Sequence, residues 1–552
     1  MSKNVTDFVS RHTEKSVLLI ASILSLVFYI WSYRNGYTLL YNDAMAHLNI
    51  ARFVFDNLQP GLVQLGTVWL PFSHILSLLF IWNDWAWQSG FAGSIFSMLA
   101  YIFSVWGIFV ASKEITRNNI AASIASASFA LNANLLYLQS TPLTESLYLC
   151  LFILSIVVFA KWRDDGKVNR LISLGILGFF QVLTRYDGWF VVFIESALVL
   201  LFLLTDKRRA LKYRRLNSAS GEFIIFLMPI LLGLFIWVSY NWLIFGNPLA
   251  FAFGNGSAYS QQLDISDHYG LETKNNLLFS IKTYFFSSIA NVGVPLSIFS
   301  ILGLVLSLFY ARQYKEVFVK NLPTFLLILS PIIFNILSLY LGFSTINIPF
   351  LFDYSIDGFH SELFNVRYGI MALPLVSLTI SLFILCSIQM IGKNRKNTGL
   401  LFGIIILAII ISQTIVTVKE KPISLSDGIF GLSSYARLSA DTGLADVIIS
   451  SVDPKDKILV STCSFNSVLF RVGHHLDSYL HEGVYGVWEV ALRSPEKYVK
   501  WIILRKNDLT DQHLAGEYKS SFLQCYDPVY SKNGVFLYKI NQKCEPLISQ
   551  WN

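Results

Sequence analysis

Apolar stretches long enough, or nearly long enough, to cross a bilayer recur through the first 418 of the 552 residues. They lie at about 16–35, 89–111, 119–138, 144–160, 169–184, 188–204, 223–245, 286–311, 322–342, 365–391 and 399–418. A helical crossing needs about 20 predominantly apolar residues. Inside hydrocarbon every backbone N–H and C=O must be paired within the protein, which leaves a helical bundle as the answer to a pattern like this one. Composition agrees, with 54% hydrophobic and 14% charged residues where soluble domains carry about 25% charged. Residues 16–35 follow Arg11 and Lys15 and precede no small-residue cleavage pattern, so they read as a retained first span.

The segments between the spans alternate in charge. Five are basic: 112–117, 161–170, 206–215, 311–320 and 392–397. Together with the N-terminus they hold 21 Lys and Arg, against six on the other side of the membrane part. The positive-inside rule then predicts a cytoplasmic N-terminus, eleven spans and an extracytoplasmic tail. The tail, 419–552, holds 15 basic and 15 acidic residues, so the net charge of +7 belongs to the membrane part. Topology explains that excess, and no nucleic-acid partner is expected.

Residues 69–82, W-L-P-F-S-H-I-L-S-L-L-F-I-W, are apolar but too short for a crossing. They read as an interfacial or re-entrant helix within a long first external loop, about 36–88, with Trp82, Trp85 and Trp87 at the interface. The tail changes character: 456–462, 498–505 and 534–540 look like strands, with helices at 441–452 and 485–493. The expected organisation is thus a polytopic all-α membrane part, 1–418, and a small α/β domain, 419–552. The five cysteines show no metal-ligand spacing. Cys463, Cys525 and Cys544 lie in the tail, where an oxidising compartment would permit a disulfide.

Basic residues avoid the external side, so the six that remain there need reasons: Arg34, Arg52, Arg185, Lys274, Lys282 and Arg367. In Y-N-D-A-M-A-H-L-N-I-A-R (41–52) an acid, Asp43, follows the first span; a carboxylate at the membrane surface can act as a base on a substrate arriving from water. A helical wheel through 43–56 places Asn49, Arg52 and Asp56 on one polar, exposed stripe, and turns Asp43 and His47 toward packed protein. The plainer reading of Asp43 is an N-cap, although Ala46 at N3 leaves no capping box. A histidine such as His47 is more often a satisfied buried side chain than a catalyst; the functional alternative is a substrate contact. In Q-S-T-P-L-T-E-S-L-Y (139–148) Glu145 falls in the first turn of a helix, where an acid suits the dipole, on the same external side as Asp43. L-T-R-Y-D-G-W (183–189) carries Arg185 and Asp187, which either pair with each other or meet substrate. Glu195, two turns into the next span, is costly there unless partnered. F-N-V-R-Y-G (364–369) sets Arg367 and Tyr368 at the outer end of a span, behind Asp353, Asp357 and Glu362. An arginine fork suits phosphate; a salt bridge to one of those acids is the plainer alternative. Lys282 is a further phosphate candidate.

A first span, a long external loop opening with N-D-A-x-x-H, and a second acid in T-P-L-T-E together resemble the GT-C superfamily of membrane glycosyltransferases, above all its protein O-mannosyltransferase and lipid A aminoarabinose transferase branch. The likeness covers about residues 15–245 best. It implies sugar transfer from a polyprenyl-phosphate donor to an acceptor hydroxyl on a lipid, glycan or protein outside the cytoplasm. It implies Asp43 as general base, Glu145 as a catalytic residue positioning acceptor or metal, and Arg185 or Arg367 neutralising the phosphate leaving group. Direct displacement would invert the sugar carbon. No cofactor is implied with certainty; a divalent metal is compatible, though the loops lack a clear D-x-D and the first loop lacks a second adjacent acid. The alternative class is a transporter or flippase of lipid-linked glycans, which favours broken helices and mid-membrane charges. A non-catalytic scaffold leaves the external acids and arginines without a reason.

Overall fold

The computed structural model describes residues 3–66, 68–205, 215–254, 257–269, 271–313, 315–351, 363–390, 395–433, 436–515 and 524–544. The basic segment 206–214 and the acids Asp353, Asp357 and Glu362 lie outside them. By internal contacts the chain divides into two compact units. The first is Met1–Thr38, Thr67–Ser73 and Ser94–Gly428; the second is Leu39–Gly66, His74–Gly93 and Ile429–Asn552. The second therefore draws two segments from what the sequence presents as one external loop, and joins them to the tail.

The first unit is helical and is that of an integral membrane protein. Eight helices are long and apolar enough to cross a bilayer: His12–Arg34, Phe91–Thr116, Glu145–Asp165, Tyr186–Thr205, Ser220–Phe245, Asn321–Leu341, Val366–Met390 and Leu401–Phe430. A ninth is reached if Leu277–Val292 and Val294–Phe309, bent by 112°, are one span. The expected eleven are thus eight or nine among the described residues, and local chemistry explains the difference. The stretch 119–138 is not one helix: Asn119–Ala130 ends at Leu131, and the Asn132 side chain accepts from the Leu135 N–H to start a separate turn, Ala133–Leu138. The stretch 169–184 is the helix Val168–Val182, too short to count by length. The bend follows from Gly293, whose φ of +96° lies in the left-handed region and whose Cβ position is taken by the Gln413 side chain.

The second unit is built on a five-stranded sheet of β1 (Ile458–Leu459), β2 (Tyr479–Leu480), β3 (Trp501–Arg505), β4 (Tyr526–Lys532) and β5 (Val535–Ile540). The order is β2-β1-β3-β5-β4, with β1 parallel to both β2 and β3, and β5 antiparallel to β3 and β4. Three of these strands match expected ones; β2 is too short to show a period, and β4 is largely exposed and polar. One face of the sheet is covered by Ala436–Ser451, by Thr462–Val472 and by the helix Asn42–Phe53 from the first loop. Leu48, Ala51 and Phe53 share a core there with Leu444, Ile448, Phe465 and Leu469.

This burial overturns the expected exposed stripe on that helix. Asn49 is fully buried: its amide donates to the Asn466 carbonyl at 3.1 Å and to Asn466 Oδ1, and accepts from Trp87 Nε1 at 3.2 Å. Arg52 is buried too, bridging Asp56 at 2.9 Å and Asp84 at 2.6 Å and donating to the carbonyls of Ile81 and Trp82. The wheel identified a coherent polar face, but the loop segment 74–93 and the tail cover it. Trp87, expected at an interface, is in this core, while Trp82 and Trp85 are exposed. The segment 69–82 contains one short helix, Phe72–Ser77.

Cys525 and Cys544 form a disulfide, leaving Cys150, Cys386 and Cys463 free. A thiol-alkylation count on unfolded protein should therefore find three reactive cysteines, rising to five after reduction. Five without reductant would remove the disulfide and the redox argument drawn from it.

Candidate functional site

In the membrane unit, buried acids and arginines of opposite charge gather around Glu145. Glu145 opens the helix Glu145–Asp165 and is 1% exposed. Its Oε1 accepts from Arg367 Nε at 3.0 Å and from Arg185 Nη1 at 3.3 Å. Arg185 also donates through Nε to Asp187 at 3.0 Å and through Nη1 to Thr144 Oγ1. The four charges alternate as Asp187, Arg185, Glu145, Arg367, and they sum to zero. The ring of Tyr368 lies 5.3 Å from the Arg185 guanidinium and 5.2 Å from that of Arg367, so one aromatic ring serves both. Tyr148, one turn along from Glu145, approaches Arg185 from another direction at 5.9 Å.

The two arginines sit in similar local motifs, R-Y-D-G at 185–188 and R-Y-G at 367–369. In each, the glycine allows a close approach. A Cβ at Gly188 would run into the carbonyl of Gln181, and one at Gly369 into the carbonyl of Ser287. The Arg185 hairpin is also pinned by the segment 68–73, through Phe72 N–H to the Leu183 carbonyl and the Tyr186 hydroxyl to the Val68 carbonyl. The Arg367 segment is held from both sides. Val366 N–H donates to Asp427, while the Val366 carbonyl accepts from Ser287 Oγ at 2.8 Å and Asn291 Nδ2 at 2.6 Å. Both guanidiniums are thus oriented by backbone fixed before any substrate arrives.

Some groups in this region are uncommitted. Glu145 Oε2 and the Tyr148 hydroxyl are buried with no hydrogen-bond partner among the described residues. Arg185 uses Nε and Nη1, leaving its Nη2 amino group without a partner among the described residues. Glu195 is fully buried, with neither carboxylate oxygen hydrogen-bonded among the described residues. Lys282 does not join the cluster: it is exposed, over the ring of Phe279 at 5.7 Å.

Asp43 and His47 belong to the second unit. Asp43 is half-buried in the first turn of Asn42–Phe53, and the N-cap is Tyr41, so the capping reading of Asp43 does not apply. His47 is buried, its Nδ1 2.7 Å from Nε2 of His74. His74, hidden in a short apolar segment, was not marked by the sequence. Thr144 and Tyr148 were within the quoted Q-S-T-P-L-T-E-S-L-Y, and their spacing about Glu145 is the signal that would have found them. Among the described residues no group of three or more His, Cys, Asp or Glu could hold a metal ion. Glu145 and Asp187 fit a metal poorly in any case, since each already accepts from a guanidinium.

No protein-family model matches the chain, and no curated protein matches it by sequence. Solved structures do align along its length. ArnT from Cupriavidus metallidurans bound to undecaprenyl phosphate is 11% identical, with a TM-score of 0.48 over 94% of this chain and 98% of its own. The apo form of that protein gives 11% and 0.49 over 95% and 99%. An oligosaccharyltransferase of Archaeoglobus fulgidus, in complex with zinc and sulfate, gives 11% and 0.46 over 96% and 74%.

Truncating Glu145 to Ala would leave Arg185 and Arg367 facing each other in a buried site. Breaking a buried pair in this way costs about 3–5 kcal/mol, so thermal unfolding should begin well below wild type. Glu145→Ala combined with Arg367→Met should recover much of the loss; no recovery would mean that the pair is not coupled. In the second unit, burial pushes His481 down to about 4 and His74 well below its usual 6.5. Both stay neutral when folded and take a proton when unfolded, so their stabilisation is complete above pH 6.5 and declines as pH falls toward 4. His481→Asn should flatten that decline in pH-dependent melting curves.

Proposed function

We propose that this protein is a glycosyltransferase that moves a sugar from a polyprenyl-phosphate donor to an acceptor hydroxyl on the extracytoplasmic side. One observation carries the reading: a buried row of alternating charges in a membrane unit, with two guanidiniums fixed by backbone and one amino group of Arg185 still uncommitted. Such a group is suited to a phosphate oxygen, and the apolar helices around it suit the lipid chain. The acceptor oxygen bonds to the anomeric carbon, the bond from that carbon to the phosphate oxygen breaks, and the phosphate leaves with the electron pair. Arg185 and Arg367 offset its charge, with Tyr368 holding both planes and Asp187 orienting Arg185. The sequence resemblance, and not the arrangement of the two units, is what assigns the hydroxyl proton to Asp43, whose helix His47 supports. Glu145 keeps the two arginines at their spacing. A single displacement inverts the sugar carbon. The basic cytoplasmic loops and the Cys525–Cys544 disulfide support an external tail with the N-terminus inside.

A second reading, lipid-linked glycan transport, is favoured by the buried Glu195, whose carboxylate has no hydrogen bond among the described residues, and by the 112° bend between Leu277–Val292 and Val294–Phe309. One experiment separates the two. Purified protein is incubated with polyprenyl-phosphate sugar and candidate acceptors, and released polyprenyl phosphate is measured. Wild type should release it, and Asp43→Asn should be slower by about 10²–10⁴-fold, the usual contribution of a general base. Equal rates would sink the base assignment. Movement of labelled lipid across liposomes without cleavage would favour transport.

A further inference from the structure

The bend at Gly293 encloses a feature that sugar transfer does not use. A cavity of about 20 Å³, room for about one water or small ion, lies where two helices stop inside the membrane unit. One is Asn119–Ala130, ending at Leu131; the other is Leu277–Val292, ending at Gly293. Helix ends leave carbonyls without intrahelical donors, and side chains supply donors here. Thr414 Oγ1 donates to the Leu131 carbonyl, Asn132 and Asn134 both donate to the Asn291 carbonyl at 2.9 Å, and Gln413 Nε2 donates to the Val292 carbonyl at 2.7 Å.

These bonds commit the side-chain donors of Asn132, Asn134, Gln413 and Thr414 and leave acceptors. With its amino group committed, Gln413 has Oε1 buried and without a hydrogen-bond partner among the described residues. The Leu131 and Val292 carbonyls each accept once by these bonds and keep a second lone pair. The helix that resumes beyond the bend offers little in return, because Pro295 in its first turn has no N–H. The lining contains no Lys, Arg, Asp or Glu among the described residues. The cavity is therefore rich in neutral oxygens; two helices end at it and two, Ala133–Leu138 and Val294–Gln313, begin there, so the helix dipoles largely offset and the oxygens themselves make the site.

We infer that this cavity is a binding site for a small monovalent cation of the sodium class. A water molecule brings two protons, whereas a cation satisfies every facing oxygen at once. Neutral carbonyl and amide oxygens at interrupted helices suit a monovalent ion; a divalent one calls for carboxylates, which are missing from this lining. Occupancy would brace more than the bend. Asn291, at the cavity wall, also holds the Val366 carbonyl beside Arg367, so the ion would stiffen the support of one arginine of the charged row. The site does not depend on the reaction proposed above.

Melting of the detergent-solubilised full chain tests this at constant ionic strength, with sodium chloride exchanged for choline chloride. Sodium should raise the midpoint saturably, since a ligand that binds only the folded state stabilises it by mass action. Magnesium should not reproduce the shift at equal ionic strength. Gln413→Ala should lose the sodium-dependent shift. Gln413→Glu, which places a carboxylate at the same position and guards against a folding defect in the first variant, should reach half-saturation at lower sodium. Identical midpoints in sodium and choline for wild type would mean that only water occupies the cavity and would overturn the inference, as would a sodium shift unchanged in both variants.

Discussion

A carboxylate placed among apolar helices has to be paired or neutral, and the membrane unit depends on how that demand is met at Glu145. Its one hydrogen-bonded oxygen gathers Arg367 from the span opening at Val366 and Arg185 from the hairpin before Tyr186–Thr205. Three segments far apart in sequence are thereby tied at a single atom. Arg185 would otherwise have only Asp187 as a charged partner among the described residues, and Arg367 would lose the acceptor that its Nε reaches. The Tyr368 ring lies against both cations, so the pair is fixed in orientation as well as in charge. Removing a partner from such a group costs more than the bond was worth, because the charge left behind stays desolvated.

Much of this row is legible in the sequence, for a reason of topology. Where basic residues are excluded from one side of a membrane, each exception is informative. The exceptions include Arg185 and Arg367, and Q-S-T-P-L-T-E-S-L-Y supplies the acid that joins them. The same logic flags Arg52 and Lys282, which do other things: Arg52 clamps Asp56 and Asp84 in the second unit, and Lys282 is exposed. A charge count says that a residue needs a reason and is silent about which one. Which acid each arginine meets is set by contacts separated by as many as 222 residues, and no local pattern records them.

Other features are hidden by the limits of periodicity. The helix Asn42–Phe53 has a coherent polar face, which reads as solvent-exposed when the helix is taken alone. Its polar atoms are instead satisfied by Asn466, Trp87, Asp84 and two carbonyls, so polarity there specifies a packed surface. In the stretch 119–138, hydrophobicity runs on past Ala130 although the helix does not. The break is made by Asn132, a residue that competes for backbone N–H groups. At Gly293 the break demands a glycine on steric grounds, since the Gln413 side chain occupies the space of a Cβ. Hydropathy averages over about 19 residues and passes over both.

The neutrality of the row bears on how a phosphate would be received. Two arginines and two acids already cancel, so an anion gains nothing from net charge and must gain from geometry. Arg185 commits its Nε to Asp187 and one amino group to Thr144 and Glu145, and keeps the other uncommitted among the described residues. An incoming phosphate oxygen can meet that amino group without breaking the existing bonds. As negative charge grows on a leaving phosphate, Glu145 and the phosphate would compete for the same cations, and Glu145 Oε2 is already without a donor among the described residues. A carboxylate held at half its hydrogen-bonding capacity yields cation density more readily than a fully bonded one. On the proposed reading the unsatisfied oxygen is therefore part of the device: it makes the row stable enough to fold in apolar surroundings and weak enough to share its arginines with the transition state.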